Sequence, residues 1–319
     1  MRVVFFGTPE FAVPALSAIA PHAEVLMVVA QPDRPKGRGR ALAMPPVKEA
    51  ALALGLPCMQ VESPNAPGVV AALKALAPDL WIVIAYGAIL SRALLDVPAR
   101  GAINVHGSLL PAYRGASPVQ AAIADGCATT GVCTMWMDEG LDTGDVILGE
   151  EVAIGPDETA GELSARLAVA GAALLVKTLD AIARGEATRK PQDARKATVT
   201  KRLKKADGFL DFAQPVRRVH DRARAMTPWP GAQAAFDGET IRFARTRIAP
   251  ATAGAGAEPG AVLGAGPDGG LLVACGDGVL EVSRLTPAGR PEMDAQDWWR
   301  GLRRPNGSVA RFTAPRTED

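Results

Sequence analysis

The first half of the chain alternates short apolar runs with segments whose apolar residues recur at helical spacing. Arg2–Phe6, Glu24–Ala30, Leu80–Ala85 and Ala102–His106 are apolar, mostly rich in Val and Ile, and read as buried strands. Glu10–Ala20, Pro46–Leu54 and Gly68–Leu76 read as helices among them. Strands with two apolar faces, separated by helices, predict an open, mainly parallel α/β sheet covered on both sides.

The clearest helix spans Thr159–Arg184. Thr159 and Glu162 form a capping-box pattern at its start, and Gly185 suits the stop position. Leu163, Leu167, Ala170, Leu174, Thr178 and Ile182 define a buried stripe along it. Beyond a polar stretch, Pro215–Ala225 reads as a further helix. Short runs then follow at Ala232–Phe236, Thr240–Ile248, Ala261–Ala265, Leu271–Ala274 and Val279–Leu285, with Asp237-Gly238 as a hairpin turn between the first two. These predict a small β-barrel. The expected domains are residues 1–185, a basic linker at 186–205, and residues 206–319.

Length and composition suit two globular domains: 319 residues, 48% hydrophobic and 22% charged. Net charge is only +1, so any polyanion contact needs a local basic cluster. Arg189–Lys205 is one, with Arg189, Lys190, Arg195, Lys196, Lys201, Arg202, Lys204 and Lys205 facing the single acid Asp193. A stretch of this kind is either a solvated tether or a phosphate-attracting track. The four cysteines form no Cys-x-x-Cys pair, and no metal site is expected. The opening apolar run is too short for a signal sequence and nothing is long enough to span a bilayer, so a soluble, cytoplasmic protein without membrane contact is expected.

Candidate chemistry concentrates in Asn104-Val105-His106-Gly107-Ser108-Leu109-Leu110-Pro111. Asn104 and His106 lie two apart on a predicted strand and therefore share a face. At the carboxyl end of a parallel strand that face opens on the crevice where α/β sheets bind ligands. The acid- and glycine-rich segment Met137–Asp145 reads as a loop able to bring a carboxylate to the imidazole. An amide, an imidazole and a carboxylate would serve transfer of a formyl group to an amine. Asn104 and His106 N–H groups would stabilise the oxyanion, and Asp142 would orient His106 and accept the amine proton. Each residue also has an ordinary structural reading, the Asp as a turn residue above all.

The stretch Asn104–Pro111, continued by Ala112–Pro118, resembles the signature of the 10-formyltetrahydrofolate-dependent formyltransferases, and Asp138–Asp145 resembles their second motif. Phe6–Phe11, Gln31–Arg40 with Pro46-Val47-Lys48, and Pro228–Ala232 narrow the resemblance to the methionyl-tRNA branch of that family. The resemblance covers nearly the whole chain. It implies a Rossmann-like N-terminal domain and an OB-like C-terminal barrel that binds tRNA. Asn104, His106 and Asp142 would be the catalytic trio. Ser108, Leu109, Leu110 and Pro111 would line the folate site, and backbone at Ala85-Tyr86-Gly87 and Asp138-Glu139-Gly140-Leu141 would hold the pterin. Lys36, Arg38 and Arg40 would enter the acceptor region of initiator methionyl-tRNA, and Lys201, Arg202, Lys204 and Lys205 would extend the contact. Arg217, Arg218, Arg222 and Arg224 would continue the track along a helix, whereas Trp229 is expected to pack. The expected partners are 10-formyltetrahydrofolate, as formyl donor, and the charged tRNA, with the enzyme a monomer.

Three alternatives stay open at this point. A dinucleotide-dependent enzyme would need a Gly-x-Gly-x-x-Gly cradle, where Gly7-Thr8-Pro9-Glu10 stands instead. A folate formyltransferase acting on glycinamide ribonucleotide or an amino-sugar nucleotide would share the trio. An RNA-binding protein without catalysis would not need it.

Overall fold

The computed structural model describes residues 1–36, 41–250, 256–302 and 310–314. They fall into two compact units. The first comprises Met1–Pro118, Thr130–Ala153 and Ser164–Thr200; the second comprises Val119–Thr129, Ile154–Leu163 and Lys201–Asp319.

In the first unit, β1 (Arg2–Gly7), β2 (Glu24–Ala30), the hairpin pair β3 (Arg34–Lys36) and β4 (Ala41–Ala43), β5 (Cys58–Gln60), β6 (Leu80–Ile84) and β7 (Ala102–His106) are followed by β8 (Arg114–Gly115), β9 (Thr129–Trp136), β10 (Val146–Ala153) and β11 (Val199–Thr200). The main sheet runs β10-β9-β7-β6-β1-β2-β5. β1 pairs in parallel with both β2 and β6, and β6 with β7, while β9 joins β7 antiparallel. This is the expected open, mainly parallel sheet. Its core includes Val4, Phe6, Val29, Trp81, Val83 and Tyr86.

The chain winds outward from β1 in one direction through β2 and β5, and in the other through β6 and β7. The crevice of such a sheet lies at the carboxyl ends of the strands flanking that reversal. There the Thr8 hydroxyl donates to the Tyr86 carbonyl oxygen at 2.9 Å, tying the tip of β1 to the tip of β6.

The capping box at Thr159 is present: Thr159 N–H donates to Glu162 Oε2 at 2.9 Å, and Glu162 N–H to Thr159 Oγ1 at 3.4 Å. The helix runs Ala160–Arg184, and Gly185 takes φ 73° just after it. Of the expected stripe only Ala170 is not fully buried. Three strands of the main sheet escaped the pattern, and β5, with only three residues, is too short to show one. In β9 an uninterrupted run of buried residues hides the period-2 signal, and β10 mixes glycine and paired glutamates. The basic stretch is also built in rather than free along its length. Lys190 bridges Val146, and Val199-Thr200 pair in parallel with Arg114-Gly115.

In the second unit, β12 (Ala232–Phe236), β13 (Glu239–Ile248), β14 (Val262–Ala265), β15 (Leu271–Ala274), β16 (Val279–Thr286), β17 (Met293–Asp294) and β18 (Phe312–Thr313) form one sheet in the order β14-β15-β16-β13-β12-β18, with β17 on β16. An antiparallel bridge between Ala261 and Arg311 joins its two ends, closing the sheet into a barrel. Closure removes exposed strand edges. Asp237 and Gly238, at φ 49° and 85°, make the expected tight turn. Phe212, Phe236, Phe243 and Phe312 fill the interior with Trp298 beside them.

Candidate active site

His106 is the last residue of β7, and two residues earlier Asn104 sits on the same face of the strand. The imidazole is 8% exposed. Its Nε2 lies 2.9 Å from the carbonyl oxygen of Tyr113, an atom that only accepts, so Nε2 donates in this arrangement. Nδ1 then faces Asp142 Oδ2 at 3.6 Å. The same carboxylate oxygen accepts the Gly115 N–H at 2.8 Å. The three predicted catalytic positions are thus two neighbours on a strand tip and a carboxylate supplied by a distant loop.

Asn104 Oδ1 is buried and has no hydrogen-bond partner. An orphaned buried acceptor costs roughly 1–3 kcal/mol, a cost removed when a bound group donates to it. The site therefore has an acceptor waiting beside an imidazole.

The loop that carries Asp142 is shaped locally. Asp138 Oδ1 accepts the Gly140 N–H at 3.0 Å and the Thr143 hydroxyl at 2.6 Å, an Asx-type turn. A side chain at Gly144 would put its Cβ 1.8 Å from the Trp136 carbonyl oxygen, so only glycine fits there. Asp142 itself has φ 54°, in the left-handed region that Asp and Asn tolerate best among residues with a Cβ.

Among the positions read as folate-binding, Ala85 and Gly87 are exposed with φ 46° and 88°. The Tyr86 ring is buried edge-on against Phe6. Its hydroxyl has no partner, and burial pushes it up to about 12. Ser108 is fully buried and donates to the Ala112 carbonyl oxygen at 2.6 Å, so its side chain braces the loop from within. Leu109, Leu110 and Pro111 are half-buried, and Glu139, Gly140 and Leu141 are exposed.

Of the positions read as tRNA-binding, Arg38 and Arg40 lie outside the described residues, and Lys36 ends β3. Lys201, Arg202, Lys204 and Lys205 are exposed. On the helix Val216–Ala225 the expected track is interrupted. Arg217 and Arg218 are exposed, but Arg224 is only 6% exposed and bonds Asp221 at 2.8 Å. It is a core ion pair, not a surface cation. Trp229 differs as well: the expected packing residue is 55% exposed.

Sequence reasoning missed the residues that hold the trio in place. Gln192, Thr198 and Thr200 reach the loops at 111–117 and 142–144 from the basic stretch, and Arg114 reaches back to Gln192. Their partners are about 50 to 85 positions away, beyond any local pattern. Among the described residues no group of three or more His, Cys, Asp or Glu could hold a metal ion, and the four cysteines are free.

Residues 1–179 match the formyl transferase family model and residues 202–303 that of the formyl transferase C-terminal domain. The methionyl-tRNA formyltransferase of Solibacter usitatus is 48% identical over 305 residues, covering 95% of this chain and 96% of its own. The solved methionyl-tRNA formyltransferase of Clostridium thermocellum shares the fold, with TM-score 0.56 and 14% identity over 78% of this chain and 94% of that one. HypX of Aquifex aeolicus, solved in complex with tetrahydrofolic acid, gives TM-score 0.64 at 14% identity over 97% of this chain; this chain spans 50% of the length of that protein. The chain belongs to the formyl transferase family, in its methionyl-tRNA formyltransferase branch.

Proposed function

We propose that this chain transfers the formyl group of 10-formyltetrahydrofolate to the free amino group of methionyl-initiator tRNA, giving N-formylmethionyl-tRNA for translation initiation. The observation that carries the reading is the approach of Asp142 to His106 beside Asn104, in a chain nearly half identical to a relative of that name.

The neutral amine attacks the formyl carbon, forming a C–N bond and placing negative charge on the formyl oxygen. The Asn104 amide N–H and His106 Nε2–H stabilise that charge, the oxygen replacing the Tyr113 carbonyl at Nε2. Asp142 accepts the proton lost by the amine, directly or through water, and holds the imidazole oriented. Collapse of the adduct breaks the bond to folate N10, which takes up the proton that Asp142 accepted, directly or through water, and leaves as tetrahydrofolate. The residues fit the formyl donor: Ala85 and Gly87 are exposed just past the tip of β6, and the orphaned Asn104 Oδ1 is free to accept from a bound group.

Lys36, Arg38, Arg40 and the exposed Lys201–Lys205 cations hold tRNA phosphates in a salt-dependent way. The same reading makes the protein a cytoplasmic monomer. No helix among the described residues is long and apolar enough to cross a membrane.

The test is transfer from 10-formyltetrahydrofolate to methionyl-tRNA, run beside His106→Ala. Formylated methionyl-tRNA is expected with wild type and a large loss with the variant. Transfer to glycinamide ribonucleotide or an amino-sugar nucleotide, with none to tRNA, would overturn the acceptor.

A further inference from the structure

Gln192 lies in the basic stretch, outside every segment read as chemistry, yet its side chain is fully engaged by the catalytic loops. Its Nε2 donates to the carbonyl oxygens of Asp142, at 2.9 Å, and Gly144, at 2.7 Å. Its Oε1 accepts from Arg114 Nε at 3.0 Å and from the other arm of the same guanidinium at 2.8 Å. Two acceptors on one side and a charged donor on the other leave the carboxamide a single orientation. The two carbonyls it grips belong to Asp142 itself and to Gly144 two residues on, so the backbone that carries the Asp142 carboxylate is held on its C-terminal side. Arg114, which grips Gln192, adjoins Gly115, whose N–H holds that same carboxylate.

We infer that Gln192 is a positioning residue for formyl transfer: clamped by Arg114, it fixes the Asp142 loop so that Oδ2 faces His106 Nδ1. Asp142 has a left-handed φ and sits in an exposed, glycine-rich loop, so its backbone needs an external constraint to stay in one conformation. Gln192 supplies it from a segment that β8–β11 pairing already ties to the first unit. The inference rests on the proposed activity for its kinetic consequence, but not for its structural one.

The test uses full-length Gln192→Leu, which removes all four bonds at similar volume, and Gln192→Glu, which keeps an acceptor for Arg114 but loses both donors. In each, kcat for methionyl-tRNA is expected to fall about 10- to 100-fold, with both KM values within about twofold of wild type. Amide exchange at Gly115, whose N–H is held by Asp142, is expected to quicken. Because Gln192 acts through Asp142, the double variant with Asp142→Asn should turn over no more slowly than Asp142→Asn alone. Unchanged kcat, unchanged Gly115 exchange, additive losses, or a fall in thermal midpoint with both KM values rising would each overturn the inference. A wild-type enzyme that formylates no tRNA would sink the functional reading instead, while Gly115 exchange would still decide whether the clamp exists.

Discussion

His106 Nε2 and the Tyr113 carbonyl oxygen meet at 2.9 Å, so the imidazole that ends β7 is held by the loop that follows it. Tyr113 has φ 57°, a conformation a tyrosine adopts only when its surroundings impose it. The Thr198 hydroxyl is part of that imposition, accepting the Tyr113 N–H at 2.7 Å.

A donor aimed at developing charge acts on the transition state and little on the ground state. Asn104→Ala and His106→Ala should therefore each lower turnover about 10²- to 10³-fold while leaving tRNA affinity near wild type. Single-turnover kinetics beside filter binding measures both. Parallel losses in rate and affinity would contradict the assignment of these side chains to the reacting carbonyl.

Gly144→Ala tests the loop from its backbone. The added methyl would meet the Trp136 carbonyl oxygen at 1.8 Å, and that acceptor belongs to the end of β9, which cannot swing away as a side chain would. Moving the loop instead displaces Asp142. Turnover should drop about tenfold or more, with a stability loss of about 1–3 kcal/mol from the forced backbone shift. Full turnover in a folded variant would show that the loop tolerates displacement.

The parts that repeat a local rule were readable from sequence. β1, β2, β6 and β7 are apolar runs, Thr159–Glu162 is a capping box, and Asp237-Gly238 is a turn pair. Asn104 and His106 share a face because strands have period two, which needs no tertiary knowledge. The approach of Asp142 to His106 was legible only as a loop able to bring a carboxylate to the imidazole, which the resemblance then supported, since loop geometry leaves no local periodicity to read. Gln192 and Thr198 were invisible for the same reason, with partners far along the chain. Arg224 departs from the expected surface track because burial depends on what the helix packs against; a charge at helical spacing looks the same whether it meets solvent or Asp221.

His220 should give the fold a pH dependence. The ring is fully buried, with Nδ1 2.9 Å from the Thr246 hydroxyl and Nε2 3.0 Å from the Pro156 carbonyl oxygen. Burial is the main cause that holds its pKa below the ordinary 6.5, outweighing the nearby Asp157 carboxylate. Above pH 6.5 the ring is neutral in both folded and unfolded chains and its stabilising contacts are intact. As pH falls through 6.5 the unfolded chain takes up a proton that the buried ring resists, so stability is lost down to the folded-state value. Urea midpoints should therefore decline more steeply below pH 6.5 in wild type than in His220→Gln. Parallel slopes would remove His220 as the titrating group.

Arg218 and Arg224 share the helix Val216–Ala225, and the same substitution should separate a surface charge from a core one. Arg224 bonds Asp221 through Nε at 2.9 Å and donates to the Gly155 and Glu158 carbonyl oxygens, each at 3.3 Å. Arg224→Met leaves Asp221, 2% exposed, without its counter-charge. Removing one partner of a buried pair costs about 3–5 kcal/mol, so the urea midpoint should fall sharply. Arg218 is exposed, and Arg218→Met should change stability by less than about 0.5 kcal/mol. If it contacts a phosphate, its loss should lower the slope of log affinity against log salt by about one. Filter binding across a salt series, beside urea melts, reads both effects. A stable Arg224→Met with a reduced salt slope would put Arg224 on the tRNA, contrary to the ion pair that buries it.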